Sequence, residues 1–73
     1  MPLVDIQLIE GVFDKKQKER MIRKITDAIV EIEGEAMRAV TWVRVHEVAS
    51  GHWGIGGRAM TADDVKALQT QSA

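Results

Sequence analysis

Not one cysteine occurs in these 73 residues, and that restricts how such a chain can hold a fold. A domain this small hides only about 60% of the surface that its unfolded chain exposes. Chains of this size are commonly stapled by disulfides, held by a metal, or completed by other chains. Without Cys there is neither a disulfide nor a thiolate zinc site. His46 and His52 lie six positions apart with no companion ligands, so no metal centre is expected. Association with further chains is the remaining route. An apolar content of 45% fits that route, because it is high for a chain with so little interior.

Charge narrows the partners. Ten basic and eleven acidic residues leave a net charge of −1, with no basic stripe suited to nucleic acid. No apolar run approaches the ~20 residues of a membrane span. The start, Met1 to Gln7, lacks the basic-then-apolar layout of a signal peptide. The expectation is a soluble cytoplasmic protein with no nucleic-acid or membrane partner.

Periodicity gives the elements. In residues 3–9, Val4, Ile6 and Leu8 alternate with Leu3, Asp5, Gln7 and Ile9, which predicts a strand ended by Gly11. Asp14 with Gln17 three residues later forms a capping-box pattern. Met21, Ile22, Ile25, Ala28, Ile29 and Ile32 then recur at helical spacing, so a helix is predicted over 15–33 with Gly34 closing it. Residues 40–48 alternate again. Thr41, Val43 and Val45 share one face, and Trp42, Arg44 and His46 the other. Strand, helix, strand implies parallel strands joined by a crossover. The helix should cover Val4, Ile6, Leu8, Val43 and Val45. Leu3, Ile9, Trp42 and Arg44 are left on an open face that only another subunit would bury. Four glycines between Gly51 and Gly57 predict a tight hairpin. Thr61 caps a last helix, with Asp63 and Asp64 in its first turn and a weak apolar edge at Val65 and Leu68. Residues 1–73 form a single α/β domain.

Few residues carry candidate chemistry. Pro2 is the only proline and follows Met1. Removal of Met1 would leave a secondary amine at the chain end, and burial can bring an α-amino pKa of ~8 towards neutrality. That is where a general acid/base is most effective. With Met1 attached, the Pro2 nitrogen is an amide and cannot act as a base. A Met-Pro start is by itself a weak signal. The segment Gly54-Ile55-Gly56-Gly57-Arg58 is a poor phosphate loop, because no helix begins directly after the glycines. Trp53, between His52 and Gly54, is badly placed for its own subunit's core and should enter a pocket or an interface. Trp42 has the same problem. His46 and His52 read as surface or interface hydrogen-bonders. Lys15, Lys16 and Lys18 read as a solvated first turn.

Several features coincide with one family. They are the Met1-Pro2 start, Leu8-Ile9-Glu10-Gly11, the helix from Gln17-Lys18-Glu19 through Met21-Ile22-Arg23 to Asp27-Ala28-Ile29, and Gly51-His52-Trp53-Gly54-Ile55-Gly56-Gly57. Across residues 2–58 the chain resembles the 4-oxalocrotonate tautomerase family, and the glycine-rich run is the most specific element. The resemblance implies a β-α-β subunit with a carboxy-terminal hairpin in an obligate oligomer. A hexamer of paired subunits is the first expectation and a dimer the second. It also implies a cofactor-independent isomerase that moves a proton on a small enol or unsaturated keto acid. Pro2 would be base and then acid, and Trp53 would wall the pocket.

Two positions depart from the family pattern. The family places an arginine after the glycine that ends the first strand, where this chain has Val12. It places another early in the second strand, where this chain has Trp42. Arg44, on the same face as Trp42, is the leading substitute for binding substrate. Arg38 and Arg58 are weaker candidates. Three readings follow. The chain is a tautomerase for a different substrate, or a subunit of a mixed hexamer whose partner supplies the arginines, or a scaffold without chemistry.

Overall fold

The structure is a computed structural model and describes residues 1–71. The elements are β1 (Leu3–Ile9), α1 (Lys15–Glu33), a 3-10 helix (Glu35–Val40), β2 (Trp42–Val48), β3 (Trp53–Ile55), β4 (Arg58–Met60) and α2 (Ala62–Gln71). β1 and β2 are parallel, with Leu3 opposite Trp42, Asp5 opposite Arg44 and Ile9 opposite Val48. β3 and β4 form the antiparallel hairpin. The expected β-α-β unit with its carboxy-terminal hairpin is therefore present.

Local chemistry sets the ends of α1. The Gln17 N–H donates to Asp14 Oδ1 at 2.8 Å, and the Asp14 N–H donates to Gln17 Oε1 at 2.9 Å. The reciprocal pair satisfies two of the orphan donors at a helix start. At the other end, the Gly34 N–H reaches the Val30 carbonyl at 2.8 Å, and Gly34 adopts φ 106°, a conformation that glycine accepts without a steric cost.

The face of α1 turned to the sheet keeps half of the predicted stripe and departs from it at Ile22, Ala28 and Ile32. Val30 is the most buried helix residue at 4% exposure, whereas Ile32 is 86% exposed. Met21, Ile25 and Ile29 of the stripe are half-buried, and the covered face extends past them to Thr26 and Val30. Ala28 is exposed, as Ile32 is. Lys18 is not merely solvated, since its Nζ lies 2.9 Å from Glu47 Oε1 and ties α1 to β2.

β2 begins at Trp42 rather than Val40. Residues 35–40 coil first, with the Met37 N–H on the Gly34 carbonyl at 3.1 Å and the Thr41 N–H on the Arg38 carbonyl at 3.3 Å. Val40 and Thr41 are β-branched and mimic strand composition, which extends the sequence reading too far.

The chain on its own has a thin interior. Among the described residues only Ile9, Val30 and Met60 are buried hydrophobics. The accessible surface is 5391 Å², against about 4,500 Å² for a compact monomer of this mass. The radius of gyration is 14.9 Å, against about 11 Å for a compact chain of this length. Leu3 and Trp42, opposite each other on the sheet's open face, are 51% and 53% exposed. Ile9, expected on that face, is instead covered, because the hairpin and α2 gather around its end of the sheet.

Candidate active site

Pro2 is half-buried directly before β1, and its carbonyl accepts the Trp42 N–H at 3.0 Å. Proline suits this position, because the first residue of a strand need not donate to the ladder. The backbone bond is made through the carbonyl, so loss of Met1 would free the Pro2 nitrogen without breaking it.

Trp42 and Arg44 follow on the open face. Arg44 Nε lies 2.8 Å from Asp5 Oδ1, and Nη2 lies 3.1 Å from Oδ2. This is a two-point bridge between residues paired in register. Nη1 stands outside it. His46 Nε2 lies 3.4 Å from the same Asp5 oxygen, which fits the surface hydrogen-bonding role expected of His46. The Asp5 carboxyl is held below its ordinary value of 3.8, mainly by the Arg44 hydrogen bond, against an opposing effect of desolvation. Asp5 in turn raises the Arg44 pKa.

A depressed carboxylate pKa stabilises the fold above the unfolded-state pKa. That stabilisation disappears as pH falls through the folded value. The pair is exposed, so the effect on stability is small. Carboxyl-carbon NMR is expected to place the Asp5 midpoint below 3.8 in the wild type and to move it upward in Arg44→Ala. An unmoved midpoint would mean that the bridge does not form in solution.

The weaker arginine candidates are also engaged. Arg38 donates from Nε and Nη2 to Glu35 and from Nη1 to Asp27, at 2.8–3.3 Å, so its whole fork is occupied. Arg58 sits on the hairpin, 71% exposed, with Nη2 at 3.2 Å from Asp64 Oδ1. Arg38 belongs to the 3-10 helix that leads into β2 at the Pro2 end of the sheet, whereas Arg58 lies on the hairpin.

Trp53 lies on β3 opposite Met60. The turn that returns the chain consists of Gly56 at φ 58° and Gly57 at φ 83°, the double positive-φ geometry favoured in two-residue hairpins. Trp53 faces a cavity of about 230 Å³ with Leu8, Ile9, Val12, Phe13 and Met60 among its walls. Among the described residues, Gln7 is the only polar one lining it. The cavity is at the far end of β1 from Pro2. Seven strand intervals at ~3.3 Å each separate Pro2 from Ile9 by roughly 23 Å. One chain therefore groups Pro2, Trp42 and Arg44 at one end of the sheet and Trp53 at the other.

Sequence reasoning missed Val12, Phe13 and Met60 as cavity walls. The adjacent apolar pair Val12-Phe13, set in a loop between a strand and a helix cap, was the available signal. Among the described residues, no group of three or more His, Cys, Asp or Glu side chains could hold a metal ion. None of the described helices is long and apolar enough to cross a membrane.

A parallel β-α-β pair followed by a carboxy-terminal hairpin is consistent with the layout of a small tautomerase-type subunit. The chain belongs to the tautomerase enzyme family, whose model matches residues 2–63. It is similar to a 2-hydroxymuconate tautomerase of Pseudomonas putida, 40% identical over 57 residues, which are 78% of this chain and 87% of that protein. It is also similar to the probable tautomerase K2 of Dickeya dadantii, 34% identical over 61 residues, with 84% and 90% covered. A probable tautomerase of Staphylococcus aureus is 33% identical over 57 residues, with 78% and 90% covered. Family membership supports isomerase-type chemistry.

Proposed function

We propose that this chain is a subunit of a cofactor-independent tautomerase acting on a small enol or unsaturated keto acid, with Pro2 as the proton carrier once Met1 is removed. The observation that carries the reading is the family match, which begins at Pro2 itself. The neutral Pro2 amine takes a proton from the enol hydroxyl or from a carbon α to the carbonyl, leaving a delocalised enolate. The resulting ammonium returns that proton to another carbon of the same system. Substrate and product are isomers, and no electrons leave the pair. Enclosure of the half-buried Pro2 amine in an apolar pocket of the assembly would destabilise the ammonium and bring it towards the neutral range where an acid/base is most effective.

Assembly completes the site in this reading. Pro2 and the Trp53 cavity stand at opposite ends of one sheet, so a pocket containing both needs a second chain. The exposed Leu3 and Trp42 supply the surface for that contact. The oligomer is a homo-oligomer, with a hexamer as first expectation and a dimer as second. A mixed hexamer is the second reading, and the two-point bridge from Arg44 to Asp5 favours it. That bridge occupies the leading substitute for the family arginines, while Val12 and Trp42 carry no charge. A partner would then supply the cation that holds a substrate carboxylate.

The reading is tested on protein from its native host. Intact-mass measurement is expected to give the chain one methionine lighter, and that species is expected to ketonise enol substrates. A chain that retains Met1 quantitatively would remove Pro2 from the chemistry and leave the scaffold reading.

A further inference from the structure

We infer that α2 is a specificity wall, which lines one side of the Trp53 cavity so that it receives a hydrocarbon group of the substrate and rejects a second carboxylate. The inference rests on the proposed tautomerase reading for the reacting end of the substrate. It concerns the end away from the transferred proton.

The family match stops at residue 63, so Val65 and Leu68 of α2 lie beyond it. The first turn of α2 is anchored, although no residue of the helix is buried. The Asp64 N–H donates to Thr61 Oγ1 at 3.1 Å, and the Thr61 N–H donates to Asp64 Oδ2 at 2.9 Å. Asp64 also receives Arg58 from the hairpin. The Ala62 N–H reaches Ser50 Oγ at 2.9 Å, and Ala62 Cβ lies 3.5 Å from where a Cβ on Gly11 would stand. These ties fix the start of α2 against both the hairpin and the loop after β1. They bring Val65 and Leu68 to the cavity beside Trp53, Ile55 and Val12.

The chemistry of the walls selects the guest. Of the ten lining residues, Gln7 alone is polar, and none is charged. A carboxylate entering this space would lose its hydration with no cation to receive it, which is strongly unfavourable. A hydrocarbon group loses nothing by entering. An apolar cavity of about 150 Å³ already admits benzene, so about 230 Å³ holds a phenyl ring or a branched alkyl group. Leu68 and Ile55 at the rim are 56% and 59% exposed, leaving the mouth apolar and accessible. The substrate class is therefore an aryl- or alkyl-substituted enol acid rather than a dicarboxylate.

Two measurements on the assembled, full-length protein test this. Methyl NMR is expected to show cinnamate, an aryl carboxylate that cannot tautomerise, shifting the Val65 and Leu68 methyl signals and the Trp53 indole signal, whereas muconate leaves them in place. In kinetics, the ratio of kcat/KM for the enol of phenylpyruvate to that for 2-hydroxymuconate is expected to exceed one. Leu68→Glu should lower that ratio at least about tenfold, the scale on which apolar pockets discriminate, and Leu68→Met should restore it. The half-exposed position of Leu68 lets either variant fold. An unchanged ratio in Leu68→Glu, or cinnamate signals confined to other residues because a neighbouring copy fills the cavity, overturns the wall. Cinnamate contacts at Val65 and Leu68 without turnover of either enol would uphold the cavity's preference and reject the Pro2 reading instead.

Discussion

Pro2→Ala is expected to lower kcat/KM at least about tenfold with every substrate, and towards the ~10²–10⁴-fold contribution of a positioned acid/base. Alanine after Met1 still permits a free amine, so the variant does not abolish the base. It replaces a secondary amine, locked by its ring at the start of β1, with a freely rotating primary amine of different basicity. The loss should fall on kcat with little change in KM, since proton transfer rather than ground-state binding is damaged. The Pro2 carbonyl bond to the Trp42 N–H survives the change, so assembly and melting temperature should be retained. Steady-state kinetics beside a thermal melt make the comparison. Normal kcat in a variant that folds would place the proton carrier elsewhere.

Trp42→Glu is expected to break the assembly. Trp42 and Leu3 face each other across the β1–β2 ladder, and each is about half exposed in the single chain. At an ordinary exposed position such a change moves stability by about 0.5 kcal/mol or less. In the centre of an obligate interface it places an unpaired carboxylate where water is excluded, at a cost of several kcal/mol. The thin interior of the single chain means that dissociation should also lower the melting temperature. Leu3→Glu should do the same, which separates an assembly defect from any direct role of Trp42 in binding substrate. Analytical ultracentrifugation at micromolar concentration reads the outcome. Full-size oligomers with unaltered melting in both variants would mean that this face is not the interface.

The parts of the fold legible in the sequence are those set by neighbouring residues. Asp14 with Gln17, Gly34 after the helix, Thr61 with Asp64, and the Gly56-Gly57 turn each act within a few positions, and each stands where its chemistry predicts. The alternation in β1 was likewise readable, because its pleat sends Val4, Ile6 and Leu8 to one side. What escaped depends on distant packing. Val30 rather than Ile32 meets the sheet because the rotation of α1 is fixed by contacts with β2, which the apolar count alone does not encode. Ile9 is buried by a hairpin some forty-five to fifty positions later in the chain. The 3-10 helix over Glu35–Val40 hides behind strand-like Val40.

The candidate site divides in the same way. Pro2 was visible because its proposed chemistry follows from its position behind Met1. The fate of Arg44 was not, because its partner Asp5 stands 39 residues away and becomes a neighbour only through the parallel register. Trp53 was expected in a pocket or an interface, and it lines the cavity. Its companions Val12 and Phe13, from the loop after β1, and Met60, from β4, belong to two separate segments that only the folded chain brings together.

The most direct test of Pro2 as proton carrier is a nitrogen NMR titration of protein labelled with ¹⁵N-proline. Pro2 is the only proline, so a single resonance reports on it. The expected result is a resonance that titrates with a midpoint below the ~8 of an ordinary α-amine, at the pH where kcat/KM reaches half its plateau. A resonance that stays at the amide position across the whole range, in protein that is nonetheless active, would contradict the proposal.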